Sequence, residues 1–341
     1  SSHLGQSCLQ HCMGNRQCCG KKRRSADGDQ ELSQGLLPPK DDVITYVTSL
    51  QDNSLVACGS EGWVYTYDWG SRRLVREFRA HQKATNRAVS VNDELLATAS
   101  SDATIALWQQ SSASGGNAAE MVFRGHEMSV RAVDVLKTGE LLASGSRDCT
   151  VRVWDIATGR EIERRKILRN VVTAMRTLPQ SEQVCVQTSE DLQLRLWDFR
   201  TGFVEATAVR AGPNQLICVD VTDDGRYIVA GTKGFSRENC EVKVFDVRSS
   251  LRELKAAPCA DQTIEAICVV DATKCLVASK DGCIRSLSLP DAVLIAEHQL
   301  APNAGYTALG AVRREGTGPV ALAASAGQAA PNMQLLAWEA G

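Results

Sequence analysis

The chain has 341 residues, 43% of them hydrophobic, and a formal net charge of −2 at pH 7. That balance excludes a general nucleic-acid binder, which carries a strongly basic surface. No apolar run approaches the ~20 residues that a bilayer-spanning helix needs. The thirteen cysteines would indicate a disulfide scaffold only in a much shorter secreted chain.

The first segment, residues 1–30, reads as a flexible basic tail. Its first 24 residues hold Arg16, Lys21, Lys22, Arg23 and Arg24 and no acid. Two readings stand open. If translation starts at Met13, Gly14 is a myristoylation site, Cys18 and Cys19 are palmitoylation sites, and Lys21–Arg24 forms a basic patch for an anionic membrane surface. Otherwise the tail is a disordered basic docking arm. Cys8, His11, Cys12, Cys18 and Cys19 bunch together, but their spacing matches no zinc knuckle. No metal and no cofactor are expected.

From residue 31 onward a phrase returns about every forty-odd residues. It is fullest at Gly125-His126, Ser146-Arg147-Asp148 and Val151-Arg152-Val153-Trp154-Asp155. It returns at Ala80-His81, Ser101-Asp102 and Leu107-Trp108, and again at Glu190-Asp191 and Leu196-Trp197-Asp198. A glycine–histidine start and a tryptophan–aspartate end at this period predict the blades of a β-propeller. The third strand of each blade ends on an anchor, placed at Tyr67, Trp108, Trp154, Trp197, Phe245, Leu287 and Trp338. Seven anchors predict seven four-stranded antiparallel blades over residues 31–341, an all-β domain with almost no helix.

Strand a of the first blade is expected near Val43, and residues 31–37 are expected to supply the strand that the last blade lacks. Such a join removes an exposed sheet edge. Ser111–Ala119, Lys233–Asn239, Arg313–Pro319 and Ala326–Asn332 read as longer loops. Cys185, Cys218 and Cys268 fall inside predicted strands, where a free thiol packs as a small hydrophobe. With no apolar signal segment at the start, the sequence fits a reducing, cytoplasmic setting.

The repeated polar residues invite a catalytic reading. His126, Asp148 and Ser144 or Ser146 resemble a triad, but His81, Asp102 and Thr98 or Ser100 recur in register in the blade before. Packing devices recur with a repeat; catalytic groups do not. The expected role is structural: the indole of Trp108 or Trp154, a hydroxyl, an imidazole and a carboxylate satisfy one another's buried polar groups. Blades four to seven lack the histidine and are expected to rely on apolar packing. No catalytic motif stands out, so no enzymatic activity is expected. The turns between second and third strands carry little fold information, and Ser101, Arg147, Glu190 and Lys280 are the candidate rim for a protein partner.

Across residues 42–339 these repeats resemble the WD-repeat family, whose members are mostly non-catalytic scaffolds. A closer likeness, to a ciliary member of that family, runs through Arg169–Thr173, Gln187–Asp191 and Leu194–Asp198, and through Gly234-Phe235, Glu238–Glu241 and Phe245–Arg248. That resemblance implies an adaptor in the cytoplasm and cilium, binding trafficking proteins beside small-GTPase regulators. Two other readings are a structural axonemal component and a ubiquitin-ligase substrate receptor.

Overall fold

A computed structural model describes residues 42–337, apart from 51–53, 69–70, 72, 111–117, 137–138, 182, 201, 300–304, 315–316 and 326–332; residues 311–325 and 333–337 are described by backbone alone. Among the described residues, all regular structure is antiparallel β-sheet, with one 3-10 turn at Val247–Ser249. The expectation of seven four-stranded blades is corrected. Among the described residues, six sheets have four strands in the order a-b-c-d from the inside out, and the last, Tyr306–Arg314, Thr317–Ser325 and Met333–Ala337, has three. Residues 31–37 and Trp338 lie outside the described residues, as does most of Ser111–Ala119. The stretch read as a loop at Arg313–Pro319 is instead mostly strand, since two nine-residue strands meet there in a short hairpin.

Burial within a blade explains the composition of its strands. Strand b is enclosed on both faces: Val184–Ser189 and Tyr227–Thr232 are buried at every position. Strand d faces water, and Glu161–Lys166 is almost wholly exposed and charged. The apolar clusters lie between neighbouring blades rather than within one. Ala143, Val151 and Val153 of blade three, for example, pack against Val172, Met175 and Trp197 of blade four. The approach is close enough to demand small residues. A Cβ on Gly145 would lie 2.3 Å from Val172 Cγ1, and one on Gly231 would lie 2.6 Å from Ile264 Cγ2.

The innermost strands hold the ring together through a repeated irregularity. In strand a the pairing register slips at the second residue, as between Ile44 and Tyr46, Thr85 and Arg87, Val172 and Ala174, and Tyr306 and Ala308. The skipped residue is a β-bulge, which re-aims its side chain away from the normal pleat. Four of these side chains donate to the carbonyl that opens strand a of the next blade. Thr45 reaches Thr85, Asn86 Nδ2 reaches Val130 at 2.7 Å, and Thr173 Oγ1 reaches Leu216 at 2.7 Å. Thr307 Oγ1 of the last sheet reaches Ile44 of the first blade at 2.7 Å, which closes the ring.

Replacing Thr307 by Val keeps the shape, deletes this donor and leaves the Ile44 carbonyl short of a partner. Thr307→Val is expected to cost about 1–2 kcal/mol, read as a lower midpoint in urea unfolding.

Candidate functional site

The polar residues that recur in blades two and three come together as linear networks. In blade three Trp154 Nε1 donates to Ser144 Oγ at 2.8 Å, Ser144 Oγ lies 2.8 Å from His126 Nε2, and His126 Nδ1 lies 2.9 Å from Asp148. An ionised carboxylate only accepts, so the imidazole proton sits on Nδ1 and Nε2 accepts from the serine hydroxyl. Blade two repeats the arrangement with Trp108, Thr98, His81 and Asp102, at 2.9, 2.8 and 3.1 Å. Of the alternatives left open in the sequence, Ser144 and Thr98 take the imidazole. Ser146 and Ser100 instead brace the turn, each accepting from the amide of the turn aspartate. Ser144 is fully buried and engaged on both sides, so no substrate carbonyl can reach its hydroxyl.

Asp148 is pulled two ways. Burial opposes its charge, while hydrogen bonds from His126, Thr150 and the Glu127 amide favour it and hold the carboxyl well below the usual carboxylate range. Asp102 behaves alike, with burial opposed by His81 and Thr104.

Blades four to six correct the expectation that blades lacking the histidine are held more by apolar packing. In blade four Trp197 Nε1 donates to Gln187 Oε1 at 2.6 Å, Gln187 Nε2 donates to Asn170 Oδ1, and Arg195 Nη1 donates to the same oxygen at 3.0 Å. Arg195 Nη2 then meets Asp191 at 2.6 Å and Nε meets Glu205 at 3.0 Å. Two amides and a guanidinium thus replace the hydroxyl and imidazole. Blade six holds Arg285 between Asp281 at 2.9 Å and Glu297 at 3.1 Å. Blade five holds Lys243 between Glu253 at 3.1 Å and Glu241 at 3.6 Å. In both of these blades the anchor, Phe245 or Leu287, has no N–H to satisfy. The position that faces the cation is correspondingly Ala230 or Val277. Each cation stands two residues before its anchor, a spacing the sequence displays but the histidine pattern does not suggest.

The candidate rim residues occupy one register position. The amides of Ser101, Arg147, Glu190 and Lys280 donate to Ala84, Ser129, Val171 and Thr263, just before strand a, at 2.9–3.0 Å. Ser60 and Lys233 make the same bond in blades one and five at 2.8 Å, so the sequence reading missed two members that blade spacing alone would have found. Arg147, Glu190, Lys233 and Lys280 are exposed. Ser101 is half-buried and tied to Asn86 and Ser129, and Lys280 Nζ pairs with Glu265 at 2.9 Å. The innermost strands are also cross-linked: Arg176 bonds Asp220 at 3.0 Å and the Tyr46 hydroxyl at 3.3 Å, and Arg87 stacks on the Tyr46 ring. The tail positions Gly14, Cys18, Cys19, Lys21, Lys22, Arg23 and Arg24 lie outside the described residues.

His126→Ala is expected to cost about 1–3 kcal/mol in denaturant melts, because it breaks a buried network and strands two partners. The folded pKa of Asp148 lies below its unfolded value, so its contribution is complete above about pH 4 and is lost as pH falls further. Asp148→Asn should therefore flatten the acid-side decline in stability, measured as unfolding midpoints between about pH 2 and pH 5.

The pattern of the WD domain, G-beta repeat, matches residues 72–109 and 119–155. Each match begins at strand d of one blade and ends at the strand-c anchor of the next, so a sequence repeat and a structural blade are offset by one strand. The chain is 36% identical over 118 residues to nuclear distribution protein PAC1 of Fusarium vanettenii, covering 31% of this chain and 26% of that protein. It is 32% identical over 123 residues to nuclear distribution protein nudF of Aspergillus niger, covering 35% and 27%. It is 54% identical over 44 residues to ribosome biogenesis protein ERB1 of Chaetomium globosum, covering 13% and 6%. The chain thus spans about a quarter or less of the length of these relatives. The sheet order makes the described residues an all-β propeller, and two of its repeats match the WD domain, G-beta repeat.

Proposed function

We propose that the chain is a non-catalytic scaffold that binds other proteins through the rim formed by its b–c turns. One observation carries this reading. The polar residues that repeat from blade to blade are buried and spent on one another. The turn residues at one register, Ser60, Ser101, Arg147, Glu190, Lys233 and Lys280, differ in size and sign. A surface held in fixed geometry but varied in chemistry suits recognition of one particular protein surface.

The finer reading is an adaptor for ciliary trafficking or small-GTPase regulation, working in the cytoplasm and cilium. It is supported by the likeness of residues 169–198 and 234–248 to WD repeat-containing protein 31. The relatives named for nuclear distribution and ribosome biogenesis share the repeat and bear on the scaffold class. On this reading the tail, through acylated Gly14, Cys18 or Cys19 and the bases Lys21–Arg24, adds a membrane contact.

Arg147→Glu combined with Lys280→Glu reverses two exposed charges of the rim and leaves the buried networks intact. Recovery of the wild-type partners in a pull-down from ciliated cells is expected to fall by roughly tenfold or more, mostly through slower association. Recovery equal to wild type would move the site to the opposite rim or to the tail.

A further inference from the structure

Blade two has a gap that its sister blades fill. In blades three, four and six the turn aspartate is followed four residues later by an arginine: Asp148 and Arg152, Asp191 and Arg195, Asp281 and Arg285. Each arginine is buried and lies along its blade between the turn aspartate and a glutamate of strand d. Blade five has no turn aspartate, and there the cation is a lysine. Blade two keeps the aspartate, Asp102, but four residues later has Ala106.

The space is open. A cavity of about 590 Å³ is lined by Asp102, Thr104, Ala106, Trp108, Ala119 and Val122, with Arg79 and Arg124 also on its wall. Strand d is only Met121–Phe123, and Ala119 and Val122 line the notch where blade three offers Glu161. The Asp102 side chain is 15% exposed, against 3% for Asp148 beneath Arg152. Blade three shows what the notch accepts. The Arg152 guanidinium lies 3.2 Å from Thr150 Oγ1, 4.0 Å from Asp148 and 6.0 Å from the Trp154 ring centroid. Thr104, Asp102 and Trp108 are the same three groups in blade two.

We propose that this notch receives an arginine side chain from a protein partner, held against Asp102, Thr104 and Trp108 as Arg152 is held within blade three. The guanidinium fits better than an ammonium because it is planar, weakly hydrated and able to bridge a carboxylate and a hydroxyl while lying on an indole. Arg79 and Arg124 repel a bare cation, so the arriving segment carries acidic residues beside its arginine. The inference rests on the scaffold reading only for the existence of a protein partner.

The test uses the full chain with ¹⁵N-labelled tryptophan and the peptide Ac-Glu-Arg-Glu-NH₂. Its counterpart carries citrulline, which keeps the shape and loses the charge. The arginine peptide should shift the Trp108 indole resonance and leave that of Trp154, whose notch is filled, in place. The citrulline peptide should bind at least tenfold more weakly. A Cβ on Gly125 would lie 2.7 Å from Arg152 Nη1, so rebuilding blade three's arrangement in blade two needs Ala80→Gly with Ala106→Arg. This double variant should abolish the Trp108 shift while melting at or above the wild-type temperature. Equal binding of the two peptides by the wild-type chain would overturn the proposal, whatever the variant does. So would equal shifts at Trp108 and Trp154. Neither result touches the rim, whose charge-reversal experiment stands separately.

Discussion

A ring of sheets stays closed only if its innermost strands are held to their neighbours, and here the tie at four of the junctions is the side chain at the β-bulge, the second residue of strand a. Backbone pairing cannot supply it, because every strand a already spends its ladder on strand b of its own blade. The bulge turns one side chain sideways, and a threonine or asparagine there reaches the next blade's first carbonyl. The apolar clusters and small b-strand residues depend on this spacing. Gly145 and Gly231 tolerate no Cβ because Val172 and Ile264, which open strand a of the next blade, lie so close.

The second constraint is that polar atoms carried into so thin a wedge must be satisfied there. Blades two and three do so with hydroxyl, imidazole and carboxylate. Blade four does so with two amides, a guanidinium and a carboxylate. Blades five and six remove the need by using an anchor without an N–H and an apolar residue opposite the cation. In blades four to six the chemistry changes together at positions in different strands. A single replacement within one network strands its partners.

This division of labour bears on function. Groups that would be reactive on a surface are locked inside, where Ser144 and Thr98 are inaccessible. Variation is left to the turn residues and to places where a network is unfinished. Blade two is the unfinished case among the described blades, with its carboxylate and indole in place but no cation between them.

The sequence by itself determined the class of fold and the networks of blades two and three. Strand alternation and the histidine–aspartate–tryptophan spacing are set by near neighbours along the chain, and they recur in register. It did not reveal the amide and arginine relay of blade four, since Asn170 and Gln187 match no repeated phrase. Nor did it mark Ser60 and Lys233 as rim members, because their blades lack the turn aspartate used as the guide. Thr45, Asn86, Thr173 and Thr307 read as ordinary strand residues; their role arises only when a bulge meets a neighbouring blade. The bond from Thr307 to Ile44 joins residues 263 positions apart. Only the curvature of the assembled ring brings such residues together, and periodicity along a chain carries no record of that curvature.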